Sequence, residues 1–461
     1  MIIKLLKISF IIILFSACSK NSSEDYQDIP VVQEDIKSGG SATIINEGAG
    51  AYNFPPNDLT SQEISNHLVG DAAFSQPFVT FPSTQAAGLG PNFNQNSCVA
   101  CHVRNGRGTI PQFDGDTNSG MLFRISMAGS GIHNDAIPVA GFGTQLQTKS
   151  IYGVTPEGKI NIIYNPITET FADGYNVILQ NPTYSISNTY ISLPTGVLLS
   201  PRVAPPVFGL GLIDAIPTTN IELLTDENDS NGDGISGRAN YVWDYETNQI
   251  RLGRFGLKAS SYSLQHQTAS AYHQDMGITN ILFPFEHCTG QSNCISGINP
   301  NPDIDKATLD ITTFYTKSLA VPARRNATNT NVLSGKLLFT TLDCAKCHVQ
   351  RQQTGVSSIA SLSNQIFFPY SDFLLHDMGN ALSDNRTDFL ATGNEWKTTP
   401  LWGIGLAKIV NTKAQFMHDG RAKTIEEAIL WHGGEGQNAK NKYKQLNAQQ
   451  RSDLLVYLGS L

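Results

Sequence analysis

The sequence predicts a mainly α protein of two similar domains, the first of which is enlarged by a β-rich insertion. Three observations support this prediction. The pattern C-x-x-C-H occurs twice, at residues 98–102 and 344–348. Helical patterns accompany the second copy, and β-branched and aromatic runs separate the two copies. We predict one domain around each copy, at residues 46–330 and 331–461, with the insertion at about residues 105–253.

Two helices define the predicted second domain. The stretch NVLSGKLLFTTLDCAKCH has an amphipathic pattern that leads directly into the second motif. At the end of the chain, Asn447 can cap a helix that carries Leu454 and Leu458 at core spacing. A helix before a C-x-x-C-H motif and a helix at the far end are the outline of a cytochrome c domain. We therefore expect two cytochrome-c-like domains that face each other.

The composition limits the classes of function. The chain has 461 residues, of which 40% are hydrophobic and 15% are charged, enough for two or three domains with cores. Its formal net charge of −8 argues against a nucleic-acid partner, because phosphate contacts need a surplus of lysine and arginine.

Residues 1–18 resemble a bacterial lipoprotein signal. Two lysines precede an apolar run that is too short to span a bilayer permanently, and small residues lead to Cys18. Cys18 would be lipidated and would begin the mature chain, followed by a flexible polar tether at residues 19–45. An ordinary signal peptide is the alternative. We predict an exported protein, lipid-anchored on the periplasmic side of the cell envelope or at the outer membrane.

Covalent haem attachment is the predicted use of four of the seven cysteines. In c-type haem motifs the two thiols bond to the porphyrin vinyl groups, and the adjacent histidine binds the iron. A redox-active dithiol or half of a zinc site is the alternative for a single motif, but two copies favour two c-type haems. Cys288 and Cys294 remain, and in an exported chain they predict a disulfide. The predicted haem-binding residues are Cys98, Cys101, His102, Cys344, Cys347 and His348.

The stretch DSNGDGISGRAN is a candidate calcium loop. Asp229, Asn231 and Asp233 alternate, and Gly234 supplies a sharp turn, as in the first half of an EF-hand loop. Asn240 stands where such a loop has a bidentate glutamate. A polar turn held by side-chain hydrogen bonds is the alternative to bound calcium.

Long stretches of the chain resemble the di-haem oxidoreductase family, which is described as peroxidases or thiol oxidoreductases. The resemblance runs from about residue 46 to the C-terminus. More distantly, the order of parts is similar to that of bacterial di-haem cytochrome c peroxidases. In these relatives the N-terminal haem is reactive and the C-terminal haem delivers or stores electrons. The resemblance is carried by GLGPNFNQNSCVACHVRNGRG, GRFGLKASSYSLQHQTASAYHQDMGIT, LLHDMGNALSD, TTPLWGIG and MHDGRAKTIEEAILWHGGEG.

The resemblance implies a role for His432 as the second ligand of the C-terminal haem. In the relatives an H-x-G turn precedes a short helix, and the residue fourteen positions after its histidine binds the second iron. The turn here begins at His418, so His432 takes that position and pairs with His348. A histidine that caps the helix end is the alternative. Met378 and Met417 are rival ligands.

The resemblance also implies a catalytic pocket at the N-terminal haem. In the relatives a D-G-R-A-x-S-L-E-E-Q-A segment supplies the acid–base residue, and its counterpart here is GRFGLKASSYSLQHQTA. Gln267 matches the family glutamine, and His266 replaces the catalytic glutamate. His266 would act as acid–base catalyst, bind the iron as a sixth ligand, or lie exposed. Further candidates are His273 and Met276 for the pocket, Arg104 and Arg107 for the propionates, His418 for orienting the second haem, and Trp402 and Trp431 for electron transfer.

These features together predict a membrane-anchored di-haem c-type oxidoreductase that is peroxidase-like. Hydrogen peroxide or another small oxidant is the expected substrate, and a redox partner protein is the expected electron donor or acceptor. The alternative is a non-catalytic di-haem electron-transfer protein of the cell envelope, linked to iron acquisition. A third class is an oxidase that modifies a partner protein.

Overall fold

The computed structural model describes residues 33–294 and 302–461. The predicted signal, Cys18 and the predicted tether up to residue 32 lie outside the described residues. Within the described ranges, no helix combines the length and the apolar composition needed to cross a membrane.

Residues 33–45 are folded, so the predicted flexible tether does not extend to residue 45. The buried carboxylate of Asp35 pairs with Arg324 and Lys336, and it accepts a hydrogen bond of 2.8 Å from the hydroxyl of Tyr370. The polar composition of this segment suggested a tether. Its charged residue instead meets partners that lie about 300 residues away in sequence, which local composition does not reveal.

The described helices lie in three stretches of the chain, at residues 33–101, 210–317 and 330–460. The sequence sets several of their boundaries: Asn447 and Gln450 form a reciprocal capping box at the last helix, as Thr60 and Glu63 do at an early one. In chain order the described helices α1 to α12 are Gln33–Ile36, Ser61–Ser75, Cys98–Cys101, Leu210–Asp214, Thr218–Glu222, Leu264–Met276, Lys306–Lys317, Thr330–Thr341, Ala407–Val410, Ile425–Leu430, Gln437–Tyr443 and Ala448–Ser460.

Strands form small sheets of two or three members. The longest pair is an antiparallel hairpin whose register runs from Lys159 opposite Ser187 to Thr170 opposite Asn176. In chain order the described strands β1 to β15 are Thr43–Ile44, Asn92–Phe93, Met121–Ser126, Gln145–Leu146, Lys149–Ser150, Lys159–Thr170, Asn176–Ser187, Leu198–Val203, Tyr241–Asp244, Gln249–Leu252, Val321–Pro322, Gln352–Gln353, Ile366–Phe367, Leu375–Asp377 and Glu395–Lys397.

The predicted fold class, mainly α, is wrong. Helix accounts for 28% of the structure and strand for 18%, and the strands are distributed over many small sheets. The prediction extended the helical pattern around the second motif to the whole chain. Short strands of two to four residues carry no detectable period in a sequence, so those between residues 321 and 397 were not foreseen.

Helices α8 and α12 pack against each other beside the second motif. Their close approach depends on Gly335, where an added Cβ would lie 2.1 Å from the carbonyl oxygen of Asp453. Leu454 and Leu458 are buried in the same core cluster as Leu338 and Phe339. The helical pattern predicted at both ends of this region is therefore present.

The β6–β7 hairpin reaches across to the C-terminal helices. Phe171 at its tip is buried in the core cluster around the second motif. Glu169 pairs with Lys440 at 2.7 Å and with Lys444 at 2.6 Å. Asp173 pairs with Arg451 at 2.8 Å. The hairpin therefore fastens the β-rich part of the chain to its C-terminal part.

A buried charge network lies between the two motifs. The ammonium group of Lys258 is fully buried and lies 2.8 Å from the carboxylate of Asp384. It donates to the carbonyls of Arg386 at 2.9 Å and Thr392 at 2.8 Å, and it lies 4.5 Å above the ring of Trp396. These contacts hold the segment of residues 384–396 against the start of α6.

Replacement of this lysine should cost much more stability than replacement of an exposed one. We expect Lys258→Met to lower the free energy of unfolding by about 3–5 kcal/mol, because it leaves Asp384 buried without its closest cation. Lys306→Met is the control, since Lys306 and Asp310 form a surface pair worth about 0.5 kcal/mol or less. Urea unfolding of the purified protein, followed by far-UV circular dichroism, measures both. Equal losses in the two variants would contradict the expectation.

Candidate functional site

The first C-x-x-C-H motif forms a single helical turn with a fixed histidine. Cys98 and Cys101 bound helix α3, and His102 follows it. Nδ1 of His102 donates to the carbonyl oxygen of Pro205 at 2.7 Å, because a carbonyl can only accept. Burial lowers the pKa of His102 to about 4, so its imidazole is neutral at pH 7. Nε2 is therefore the unprotonated nitrogen, which is the form that binds a metal.

A cavity of about 500 Å³ adjoins this motif and is lined by three of the predicted pocket residues, His266, Gln267 and Met276. Its size is that of a typical cofactor pocket. Its apolar walls, with one metal-binding histidine and two thiols at the edge, fit a haem carried by the motif. The lining includes Phe74, Cys98, Cys101, His102, Val207, Phe208, Phe255, His266, Gln267 and Met276.

Four basic side chains that the sequence analysis missed also line this cavity. They suit the two propionate groups that a haem carries. Arg104 and Arg107, which were predicted for that role, instead donate to the carbonyls of Val410 and of Gln415 and Met417. The four residues come from separate segments of the chain, so no spacing pattern connects them. They are Arg124, Arg202, Arg386 and Lys397.

His266 lies on the cavity wall near the start of α6, and the exposed alternative is wrong because its side chain is buried. Its ring centroid is 4.9 Å from that of Tyr262, 5.6 Å from Tyr245 and 5.9 Å from Phe283. Burial lowers its pKa to about 4, although Asp244 opposes the shift. Its Nδ1 atom has no hydrogen-bond partner among the described residues. A neutral imidazole with a free nitrogen therefore lies at the cavity.

The other two pocket candidates, Met276 and His273, lie in different environments. Met276 is buried and lines the cavity. His273 is engaged elsewhere: its Nε2 contacts the carbonyl oxygen of Phe285 at 2.8 Å, and its Nδ1 contacts the side chain of Gln274 at 3.1 Å. Met276 therefore joins His266 as a possible iron ligand, and His273 supports the wall behind the cavity.

The second C-x-x-C-H motif has two fixed histidines instead of one. Nδ1 of His348 donates to the carbonyl oxygen of Tyr370 at 3.0 Å, and Nδ1 of His432 donates to that of Ala428 at 2.8 Å. Burial lowers the pKa of both imidazoles, to about 4 for His348, where the nearby His432 is a further cause. Two neutral imidazoles thus lie close together, each with Nε2 available to a metal.

The short helix before His432 is present as α10, Ile425–Leu430. Thr424 caps α10 by accepting from the N–H of Glu427 at 3.0 Å, whereas the glutamate carboxylate accepts from Lys423. The helix ends at Leu430, and His432 bonds to the end carbonyl of Ala428. The capping alternative and the ligand role are therefore compatible, because capping uses Nδ1 only. Met378 and Met417 pack at the edge of the surrounding core cluster.

Aromatic side chains lie between the two sites. Trp402 lines the first cavity, as the electron-transfer prediction requires. His418 stacks on Trp396, with ring centroids 3.8 Å apart. Trp396 also lies 5.9 Å from the guanidinium of Arg202, which lines the first cavity. Trp396 therefore connects the cavity wall with the turn that precedes α10, and the sequence analysis gave it no role.

His376 is a further residue that the sequence analysis missed. Its Nδ1 lies 2.6 Å from Glu435 and 3.6 Å from the sulfur of Cys347, and its Nε2 lies 2.8 Å from Asp372. Burial opposes its protonation, but the hydrogen bonds to Asp372, Cys347 and Glu435 raise its pKa to about 12. The stretch LLHDMGN was noted only for its family resemblance. Asp372 lies four residues before His376, but Cys347 and Glu435 lie 29 and 59 residues away, so no local pattern indicated the whole group.

The candidate calcium loop is held by its own hydrogen bonds. Asp229 accepts from the N–H groups of Asp233 at 2.9 Å and Gly234 at 3.0 Å, and Asn231 accepts from Asp233 at 2.9 Å. Asp233 pairs with Lys346 of the second motif at 3.2 Å. No group of three or more His, Cys, Asp or Glu side chains suited to a metal occurs in the described ranges. These contacts are those of the polar-turn alternative, and calcium here stays a prediction.

The charge state of His376 can be measured directly. Because its pKa is raised to about 12, we expect its imidazole to stay protonated from pH 6 to pH 9. In the ferrous protein with ¹⁵N-labelled histidine, one imidazolium signal should not titrate over this range and should be absent from His376→Gln. His133→Gln is the control that should retain it. An imidazole that loses its proton near pH 6.5 would contradict the assignment.

A family model described as "Di-haem oxidoreductase, putative peroxidase" matches residues 32–461. No curated protein matches the chain. Among solved structures, a hydrazine synthase of Kuenenia stuttgartiensis pressurised with 20 bar xenon shares 12% identity over 99% of this chain and 100% of its own. Its TM-score of 0.36 is too low to support an argument about fold or function. The family model spans nearly the whole chain, and the protein therefore belongs to the di-haem oxidoreductase family.

Proposed function

We propose that this di-haem oxidoreductase reduces hydrogen peroxide at the first site with electrons that pass through the second. One observation carries the proposal. The second motif has two prepared imidazoles, His348 and His432, which would close both sides of an iron. The first motif has one, His102, and it adjoins a cavity that holds a neutral, unpartnered His266. A small oxidant requires a site like that of the first motif, with one prepared imidazole and an adjoining cavity.

The residues of the chain have distinct tasks in this reaction. A haem bound at each motif supplies the iron that binds peroxide and the electrons that reduce it. We expect the attachment to be covalent, through Cys98 and Cys101 at one motif and Cys344 and Cys347 at the other. His266 is neutral at pH 7, so its imidazole would accept the proton of the peroxide and return it to the departing oxygen.

The charges around the first cavity support this assignment. Arg124, Arg202 and Arg386 line it and would neutralise the haem propionates. Burial lowers the pKa of Lys397 to about 8, which fits an ammonium group held away from water. Trp402 lines the cavity, and Trp396 stacks on His418 and lies near Arg202, so both would shorten the electron path.

We further propose that the protein works outside the cytoplasm. The signal pattern of residues 1–18 and the lipidation site at Cys18 would place it on the periplasmic side of a membrane or at the outer membrane. Covalent haem at two motifs and a disulfide between Cys288 and Cys294 suit an oxidising compartment. A redox partner protein would exchange electrons there.

A second candidate function is electron transfer without catalysis. Met276 is buried and lines the first cavity, as His266 does. Either side chain bound to the first iron would close the site to peroxide. An optical spectrum of the ferric protein that shows sulfur ligation at one haem would favour this candidate.

Peroxide turnover should depend on His266. We expect His266→Gln to lower kcat/KM for hydrogen peroxide by about 10²–10⁴-fold, because the amide cannot carry the proton. His273→Gln is the matched control and should have little effect, since its nitrogens face Phe285 and Gln274. In the unsubstituted protein kcat/KM should fall as the pH drops through about 4, where His266 gains its proton. Equal turnover in both variants would contradict the acid–base role of His266.

The potential of the second haem should depend on His432. We expect His432→Met to raise its midpoint potential, because a thioether favours ferrous iron more than an imidazole does. The measurement is a spectroelectrochemical titration of the two-haem protein. Met417→Leu is the control and should leave the potential unchanged, since Met417 packs in the core cluster. A shift in the control but not in His432→Met would transfer the ligand role to Met417.

A further inference from the structure

A group of buried oxygens without partners lies far from both motifs in sequence. Four side chains each leave one oxygen without a hydrogen bond among the described residues, and each of these atoms is shielded from solvent. Native proteins leave few buried polar atoms unpaired, so these four require an explanation. The four atoms are Oε1 of Gln147, Oε1 of Glu157, Oε1 of Gln291 and Oδ1 of Asn293.

Short contacts hold these four residues together. The N–H of Gln147 donates to Oε2 of Glu157 at 2.7 Å, and the N–H of Glu157 donates to the carbonyl of Gln147 at 3.0 Å. The side-chain amide of Gln291 lies near enough to the Glu157 carboxyl group to oppose the rise of its pKa. The amide of Asn293 donates to the carbonyl of Thr155 at 3.0 Å, two residues before Glu157.

The disulfide positions half of the group. Cys288 and Cys294 are joined, with their Cα atoms 5.5 Å apart, and they close the loop that carries Gln291 and Asn293. The hydrogen bond from Asn293 to Thr155 holds that loop against the segment of residues 147–157. The predicted disulfide thus has a local purpose, which is to bring two amide oxygens to a buried carboxylate.

Among the described residues, no lysine or arginine pairs with the buried carboxyl group of Glu157. Its side chain is fully inaccessible, and burial raises its pKa to about 8, opposed by the N–H of Gln147 and the nearby amide of Gln291. Burying an unpaired charge is costly, so the group must gain a proton or a cation. A proton adds a single donor, whereas four oxygens lack partners. One cation contacts several oxygens at once, and carboxylate and amide oxygens are the ligands that hard cations prefer.

We propose that Glu157, Gln147, Gln291 and Asn293 bind a hard metal cation, Ca²⁺ or Na⁺, through these four oxygens. The site is distinct from the candidate loop at Asp229, and it does not depend on the reaction at either haem. Ca²⁺ has the greater affinity for a carboxylate, and Na⁺ exactly balances one negative charge.

The cation would also support the first cavity. The side-chain amide of Gln147 donates to the carbonyl of Gln274 at 2.8 Å, and Gln274 lines that cavity. Ordering of Gln147 by a bound cation would therefore stabilise the end of α6, which carries Met276 and Gln274. The proposed site is thus a structural support for the wall of the haem pocket.

Metal binding can be measured on the full haem-loaded protein. After removal of metals with a chelator, equilibrium dialysis with ⁴⁵Ca²⁺ gives the bound calcium per chain, and thermal unfolding compares CaCl₂, NaCl and choline chloride at equal ionic strength. Stoichiometric calcium that is weakened at least about tenfold by Glu157→Gln identifies a Ca²⁺ site. Stabilisation by NaCl over choline chloride that Glu157→Gln abolishes identifies a Na⁺ site. Asp233→Asn is the control and should leave either effect intact.

Two results would overturn the proposal. One is an unsubstituted protein that binds no calcium and is no more stable in NaCl than in choline chloride, as a site filled by water would be. The other is an effect that persists in Glu157→Gln and disappears in Asp233→Asn, which would assign the cation to the loop at Asp229. If Glu157→Gln does not fold, Asn293→Ala replaces it, because it removes one oxygen and leaves the carboxylate in place.

Discussion

The hydrogen bond from histidine Nδ1 to a backbone carbonyl is the interaction on which both sites depend. His102 bonds to Pro205, His348 to Tyr370 and His432 to Ala428. Each bond fixes the tautomer and leaves Nε2 as the basic nitrogen. Burial keeps these imidazoles neutral, so each is prepared to bind iron before any haem is present.

The same chemistry gives two different sites because the surroundings differ. At the second motif there are two such imidazoles, near enough for His432 to lower the pKa of His348, and His376 ties the segments of Cys347 and Glu435 together. At the first motif, a single imidazole adjoins a cavity with basic side chains at its edge. The buried network around Lys258 and Trp396 lies between them. This difference is the basis of the proposed division between a reactive first haem and an electron-transfer second haem.

The sequence contained the local features of these sites and few of the distant ones. The C-x-x-C-H motifs, the capped C-terminal helix and the hairpin of β-branched residues depend on neighbours in sequence, so they could be predicted. His432 was found only through the family resemblance. Arg124, Arg386 and His376 were not found, because only the fold brings the two arginines to the first cavity and His376 to Cys347 and Glu435.

The prediction of the fold class was wrong for a related reason. The helical pattern around the second motif is strong, and it was extended to a chain in which most strands have two to six residues and most connections are irregular. Asp35 illustrates the same limit at the N-terminus, where a polar segment is anchored by Arg324 and Lys336. A short strand or a single buried ion pair can decide where a segment lies. Neither leaves a periodic pattern in the sequence.

The division into one open and one closed site is tested most directly by low-temperature electron paramagnetic resonance of the ferric protein. The geometry predicts one high-spin signal from the haem held by His102 and one low-spin signal from the haem held by His348 and His432. After half-reduction, the addition of a small ligand such as azide should still change the high-spin signal. Two low-spin signals that persist after half-reduction would contradict the open first site and would favour electron transfer without peroxide chemistry.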